Sequence, residues 1–146
     1  MTAMEKKAIP PEILKESVLL HLAQAYLSVA RRLEQKTKCS ETRGFILATL
    51  RGGAERNQNQ IATMLGFDRT VVHRAIKTLI REGLVSEKKA ARGRALLVSL
   101  TPKGTKYRES LIAQRRAADE ALLKKLPKPE IPVLLRLLKT IAAVEP

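Results

Sequence analysis

A single short corner, Gly66-Phe67-Asp68, constrains this chain more than any other feature. Gln58 to Leu65 before it and Arg69 to Glu82 after it both carry helical apolar spacing, so two short helices must meet there. Gly66 can take the positive φ that ends a helix, and Asp68 can cap the next one. In the second helix Val72, Ala75, Ile76 and Leu79 form the stripe expected to be buried. Arg69, Thr70, His73, Arg74 and Lys77 are left mainly on the outer face. Gly83 stops that helix, with Leu84 as the apolar contact of its cap. Leu84 to Glu87 and Leu96 to Leu100 are predicted strands, with Leu96, Val98 and Leu100 pointing inward. The seven residues Lys88 to Arg94 join them; Lys88, Lys89, Arg92 and Arg94 are cationic, and Gly93 is available for the turn.

The flanks read as helices. From Ile13 onward Leu14, Val18, Leu22, Ala25, Val29 and Leu33 recur at steps of three or four, a stripe about six turns long whose start is marked by Pro10 and Pro11. Ser40 can cap a second helix carrying Phe45, Ile46, Leu47 and Leu50, which stops at Gly52 and Gly53. Thr101-Pro102 opens a long helix to about Leu126. Pro127, Pro129 and Pro132 then break the chain before a last helix, Val133 to Ala143. The predicted class is mainly α (α+β). The expected organisation is an N-terminal helical region (1–38), a helix-turn-helix with a two-stranded wing (39–104) and C-terminal helices (105–146).

Two of these helices have too much apolar surface for one side. Leu19, Leu20 and Leu27 lie beyond the main stripe of the first, and Val133, Leu134, Leu135, Leu137, Leu138 and Ile141 surround most of the last. A helix apolar nearly all round must be covered on more than one side, and a second copy of the chain is the expected cover.

Charge points to a polyanion. The chain carries 28 Lys and Arg against 14 Asp and Glu, a net +14 over 146 residues. Residues 51–104 hold 11 basic against 4 acidic residues, the largest excess of any third. Such an excess is normally balanced by DNA, RNA or an anionic membrane surface. An aromatic content of 3% without Trp opposes stacking of single-stranded bases, whereas duplex recognition needs no such rings. The longest uncharged stretch, Ser17 to Ala30, is too short and too amphipathic to span a bilayer, so no membrane role is expected and the predicted location is cytoplasmic. Two histidines and one cysteine in separate elements do not make a metal site. With no phosphate-cradling loop, paired carboxylates or nucleophilic triad, neither a cofactor nor an enzyme is expected. His21 near the first apolar stripe reads as a packed or partly exposed histidine, the alternative being a proton sensor. Cys39 reads as an unremarkable thiol, the alternative being an oxidant sensor if Lys38 beside it lowers its pKa.

Ile61-Ala62 with Leu65-Gly66, Leu79, Gly83-Leu84 and Leu100-Thr101-x-Lys103-Gly104 are specific enough to compare with a known family. Asn57 to Lys103 resembles the winged helix-turn-helix of the multiple antibiotic resistance regulator (MarR) family. The resemblance implies a homodimeric transcription regulator, a repressor type, whose terminal helices dimerise and whose partner is a double-stranded inverted-repeat operator. It also implies release by a small aromatic or anionic effector, although no convergent polar set marks an effector site. The implied DNA contacts are Arg69, Thr70, His73, Arg74 and Lys77 on the recognition helix, Gln58 and Asn59 on the helix before it, and Lys88, Lys89, Arg92 and Arg94 on the wing.

The family's wing usually carries Asp-x-Arg. Here Arg92 stands at the Asp position and Arg94 at the Arg position. Arg94 inherits the minor-groove role, while Arg92 reads as a further phosphate or groove contact. His73 and Arg74 point from the middle of the recognition helix, where a side chain can donate to guanine O6 or N7, the alternative being a phosphate contact or none. The rival reading is an architectural chromatin protein that coats DNA without choosing sequence, favoured by the +14 charge and opposed by the varied polar face of the recognition helix.

Overall fold

Ser17 has extended backbone, and its hydroxyl accepts from the Leu20 amide at 3.2 Å, so it caps the first helix. The structure, a computed structural model, describes residue 12 and residues 17–144. Helix α1 therefore covers Val18–Thr37, 20 residues, and ends where Lys38 turns left-handed and its amide donates to Glu34 O at 2.8 Å. The apolar stripe predicts one continuous helix from Ile13 to Leu33; the structure starts α1 after the Ser17 cap instead, and Ile13 and Leu14 lie outside the described residues. Val18, Leu19, Tyr26, Leu27 and Val29 of α1 are exposed.

The chain divides into two units, residues 1–38 and 39–146. The second begins with α2 (Glu41–Thr49), capped by the Ser40 hydroxyl as expected, and a 3-10 turn at Arg51–Gly53. A two-residue strand β1 (Arg56–Asn57) leads into α3 (Gln58–Leu65) and α4 (Arg69–Arg81). Strands β2 (Val85–Lys89) and β3 (Leu96–Leu100) form the wing. Helix α5 (Pro102–Leu123), a 3-10 turn (Lys128–Glu130) and α6 (Ile131–Ala142) complete the described chain.

The corner forms as its chemistry dictates. Gly66 sits at φ 65° with its amide bonded to the end of α3, and the Asp68 carboxylate accepts from the Thr70 amide at 2.7 Å. At the other end of α4 the amide of Gly83 donates to Ile80 O and that of Leu84 to Leu79 O, both at 2.9 Å. This paired closure satisfies the carbonyls of Leu79 and Ile80 and buries Leu84.

The wing differs from expectation in three ways. First, the sheet has three antiparallel strands in the order β1-β3-β2, with Arg56 opposite Val98 and Asn57 opposite Leu97. Second, Lys88 and Lys89 belong to β2, paired with Leu97 and Leu96, so the loop narrows to 90–95, closed by Ala90 N to Ala95 O at 2.9 Å. Third, Val98 is buried and Leu100 half-buried, but Leu96 is 46% exposed, because the sheet extends beyond the helices that cover its root. At the far end Pro132 lies inside the first turn of α6 instead of before it, where its missing amide costs nothing, and α5 stops at Leu123.

The core joins Ile46, Leu47 and Leu50 of α2, Ile61 of α3, Val72, Ile76 and Leu79 of α4, Leu84, Val85 and Val98 at the wing root and Leu111 of α5. Each such side chain, fully buried, contributes roughly 1.5–3 kcal/mol. Polar ties fix the surrounding helices. Arg43 pairs with Glu82 and Arg115 with Glu41, each at 2.7 Å, and Arg108 donates to Leu47 O at 3.1 Å. These contacts hold α2 against the end of α4 and against α5, so the recognition face of α4 is presented from a rigid base.

Candidate nucleic-acid interface

Burial of Val72, Ala75, Ile76 and Leu79 turns the opposite side of α4 to solvent. Arg69, Thr70, His73, Arg74 and Lys77 are all exposed. From Thr70 to Lys77 this face runs about 10 Å along the helix at 1.5 Å per residue. It forms one wall of an open groove of about 1250 Å³. His73, Arg74, Lys77 and Arg81 line it from α4, Gln58 and Asn59 from α3, and Arg94 and Leu96 from the wing. Arg69 and Thr70 are not among the lining residues and stand at its α4 N-terminal end.

Gln58 and Asn59 differ in freedom. Asn59 is exposed. The Gln58 amide is occupied at both ends: Nε2 donates to Arg69 O at 3.2 Å, and Oε1 lies 3.0 Å from His73 Nδ1. Gln58 thus joins the first turn of α3 to the recognition helix and holds His73. Asn57 and Gln60 complete a reciprocal cap that fixes the start of α3. The Asn57-x-x-Gln60 spacing was a readable signal for it.

The wing residues separate by strand register. Val98 faces the core, and the side chains of Glu87 (opposite Val98) and Lys89 (opposite Leu96) share its side of the sheet. Lys88 lies on the other side, ion-paired with Glu55. Lys88 is therefore the wing cation that the fold turns away from the groove. Arg94 reaches the groove wall, while Arg92 is exposed in the loop and absent from the lining. Arg81, Thr78 and Glu87 also line the groove without having been anticipated. Arg81 was legible as the residue one turn beyond Lys77, and Glu87 as the second residue on the Val85 side of β2.

Four cations, Arg74, Lys77, Arg81 and Arg94, thus share the groove with one carboxylate, Glu87, and with the polar groups of Asn57, Asn59, His73 and Thr78. Hydrogen bonds from Thr70 hold the exposed Asp68 carboxyl below the usual carboxylate range, so it stays charged as a cap beside the first turn of α4. The arrangement provides positive potential for a phosphate backbone and donors and acceptors on one helical face for base edges.

The two residues considered as sensors have ordinary structural surroundings. His21 is exposed, with Nδ1 2.8 Å from Ser17 O. Cys39 is buried, and its thiol donates to Ser40 O at 3.5 Å. Burial pushes its pKa up, outweighing the hydrogen bond from Tyr107 and the charges of Arg43 and Arg115 that pull it down. Desolvation dominates, so the thiol is not activated as the oxidant-sensor alternative requires, in keeping with the reading of Cys39 as an unremarkable thiol. Among the described residues no three His, Cys, Asp or Glu side chains form a metal-binding group, and no helix is long and apolar enough to cross a membrane.

Comparison with known proteins agrees with this geometry. The winged helix DNA-binding domain family matches residues 43–104. No curated protein matches significantly. Among solved structures, the transcriptional repressor CouR bound to a 23-mer DNA duplex is 24% identical, with a TM-score of 0.82 over 92% of this chain and 99% of that one. A probable transcriptional regulator from Pseudomonas aeruginosa is 26% identical, with a TM-score of 0.79 over 88% and 98%. A MarR-family transcriptional regulator from Rhodococcus sp. RHA1 is 20% identical, with a TM-score of 0.72 over 93% and 97%. The family and these neighbours are DNA-binding and regulatory proteins, not enzymes.

Proposed function

We propose that this chain, which carries a winged helix DNA-binding domain within the fold of MarR-family transcriptional regulators, is a sequence-specific, dimeric, ligand-responsive repressor. The observation that carries the reading is the groove in which the outer face of α4 and Arg94 of the wing converge. A recognition helix that enters the major groove, with a basic wing beside it, divides the work: bases are read by α4 and the backbone is held by the wing. The variety of the α4 face favours sequence choice over uniform coating, since phosphate contacts alone would need only cations. A competition titration tests this. Fragments selected from a random duplex pool should hold the protein against a large excess of bulk DNA; equal competition by bulk DNA identifies the architectural protein instead.

Dimerisation is supported by apolar surface left open in one chain. Leu19 and Leu27 of α1 are 73% and 58% exposed, and Val133, Leu134, Leu135, Leu137 and Leu138 of α6 are all exposed. Leaving this area in water is unfavourable at about 25 cal/mol per Å². Sedimentation at micromolar concentration should give about twice 16.2 kDa, and a stable 16.2 kDa species contradicts the dimer. A two-fold axis then implies an inverted-repeat site. Release by a small aromatic or anionic effector rests on the family resemblance. Salicylate that shifts neither melting temperature nor DNA affinity removes that ligand class.

A further inference from the structure

The Gln58–His73 contact decides which way a proton faces in the groove. Arg69 O can only accept, so the end of the Gln58 amide beside it, at 3.2 Å, must be the NH2 group. The carbonyl end then faces His73 Nδ1 at 3.0 Å, and a carbonyl oxygen can only accept. His73 must therefore carry its proton on Nδ1. In a neutral imidazole that leaves Nε2 as a bare acceptor. His73 is exposed and lines the groove on the same face as Arg74 and Lys77, which can only donate.

We propose that Gln58 is a positioning residue that fixes the Nδ1–H tautomer of His73, so that His73 Nε2 reads an exocyclic amine, adenine N6 or cytosine N4, on the major-groove edge. This inference rests on the DNA-binding reading above and reverses the sequence-based expectation that His73 donates to guanine. In the major groove only those two amines are donors; guanine O6 and N7, adenine N7 and thymine O4 accept. The α4 face thus presents the His73 acceptor beside the cationic donors Arg74 and Lys77, which lets neighbouring side chains distinguish the amine from the acceptor edge of a base pair. Without the Gln58 carbonyl the ring could take either tautomer, and His73 would lose its preference.

The test has two arms on the full-length protein. In the first, two-bond proton–nitrogen correlation spectra of nitrogen-15 histidine-labelled protein, recorded at about pH 8.5 where imidazole is neutral, report the tautomer without DNA. His73→Ala assigns the signal. The expected result is Nδ1–H for His73, retained in Gln58→Glu, whose carboxylate still accepts, and lost in Gln58→Met. An Nε2–H signal in the wild type, or no change in Gln58→Met, overturns the proposal.

The second arm uses a duplex selected from a random pool, at the positions where His73→Ala relaxes preference. Replacing adenine by purine, or cytosine by 2-pyrimidinone, deletes the amine. Loss of one hydrogen bond should weaken wild-type binding about three- to tenfold. It should leave Gln58→Met much less affected, while 7-deazapurines at the same positions change little. Sensitivity to 7-deazapurines with indifference to the amine overturns the base preference while sequence-specific binding stands. Absence of any sequence preference overturns the functional reading and the base preference with it, and leaves the tautomer to the first arm.

Discussion

A methyl group added at Gly104 tests how the wing is anchored. Alanine there would place its Cβ 1.8 Å from the Leu84 carbonyl oxygen and 2.7 Å from its carbonyl carbon, both backbone atoms at the start of the wing. Ordinary contact begins at 3.4 Å, so the first turn of α5 must withdraw by about 1.6 Å. That movement pulls apart Thr101 Oγ1 to Gly83 O at 2.6 Å and Thr101 N to Leu84 O at 3.1 Å. Each lost hydrogen bond costs about 0.5–1.5 kcal/mol, and forced overpacking about 1–3 kcal/mol. The better helix propensity of alanine returns about 1 kcal/mol. The net expectation is a loss of about 3 kcal/mol. Gly66→Ala is the control: its φ is 65° and nothing lies within 4 Å, so only left-handed backbone strain of about 1–2 kcal/mol applies. Urea denaturation followed by circular dichroism, at one fixed protein concentration, measures both. Gly104→Ala within about 0.5 kcal/mol of wild type, or less damaging than Gly66→Ala, refutes the argument that close backbone approach requires glycine here.

Two further outcomes are expected. Arg94→Ala should weaken binding to all duplexes alike, whereas Arg74→Ala should cost about 1–3 kcal/mol on the selected site and less on random DNA; equal losses on both would show that the division between wing and α4 is wrong. Stability should also fall at alkaline pH. In the unfolded chain the Cys39 thiol and Tyr107 phenol ionise near 9.0 and 10.0, but burial raises both in the folded state, Tyr107 to about 12. The unfolded chain therefore releases these protons first, and the stability that is fully present below pH 9 declines as pH rises toward 12. The double variant Cys39→Ala, Tyr107→Phe should flatten that decline in melting temperature, and an unchanged slope refutes the assignment.

The parts of the fold readable from sequence are those in which a residue satisfies its own neighbours. Ser40, Gly66, Asp68, Gly83 and Thr101 act within four residues of themselves, so their chemistry fixes helix ends before any tertiary contact forms. Strand β1 gave no such signal: two residues, Arg56 and Asn57, become a strand only because β3 arrives beside them. The same dependence on pairing decided the wing. Lys88 and Lys89 are equivalent in sequence, yet register sends Lys88 to Glu55 and leaves Lys89 on the opposite side. For the site, the outer face of α4 followed directly from its buried stripe. The role of Gln58 did not, because it depends on Arg69 O and His73 Nδ1 being brought together across the corner.

The claim that α4 and the wing of two copies read one duplex is tested most directly by hydroxyl-radical and methylation footprinting of the full chain on a selected fragment. The expected pattern has dyad symmetry. Two major-groove segments roughly 10 bp apart, or slightly more, should be protected from methylation, with backbone protection beside each where Arg94 lies. Arg94→Ala should remove the flanking backbone protection and leave the major-groove protection in place. Uniform protection without a dyad, or protection that moves freely with sequence, would contradict the account.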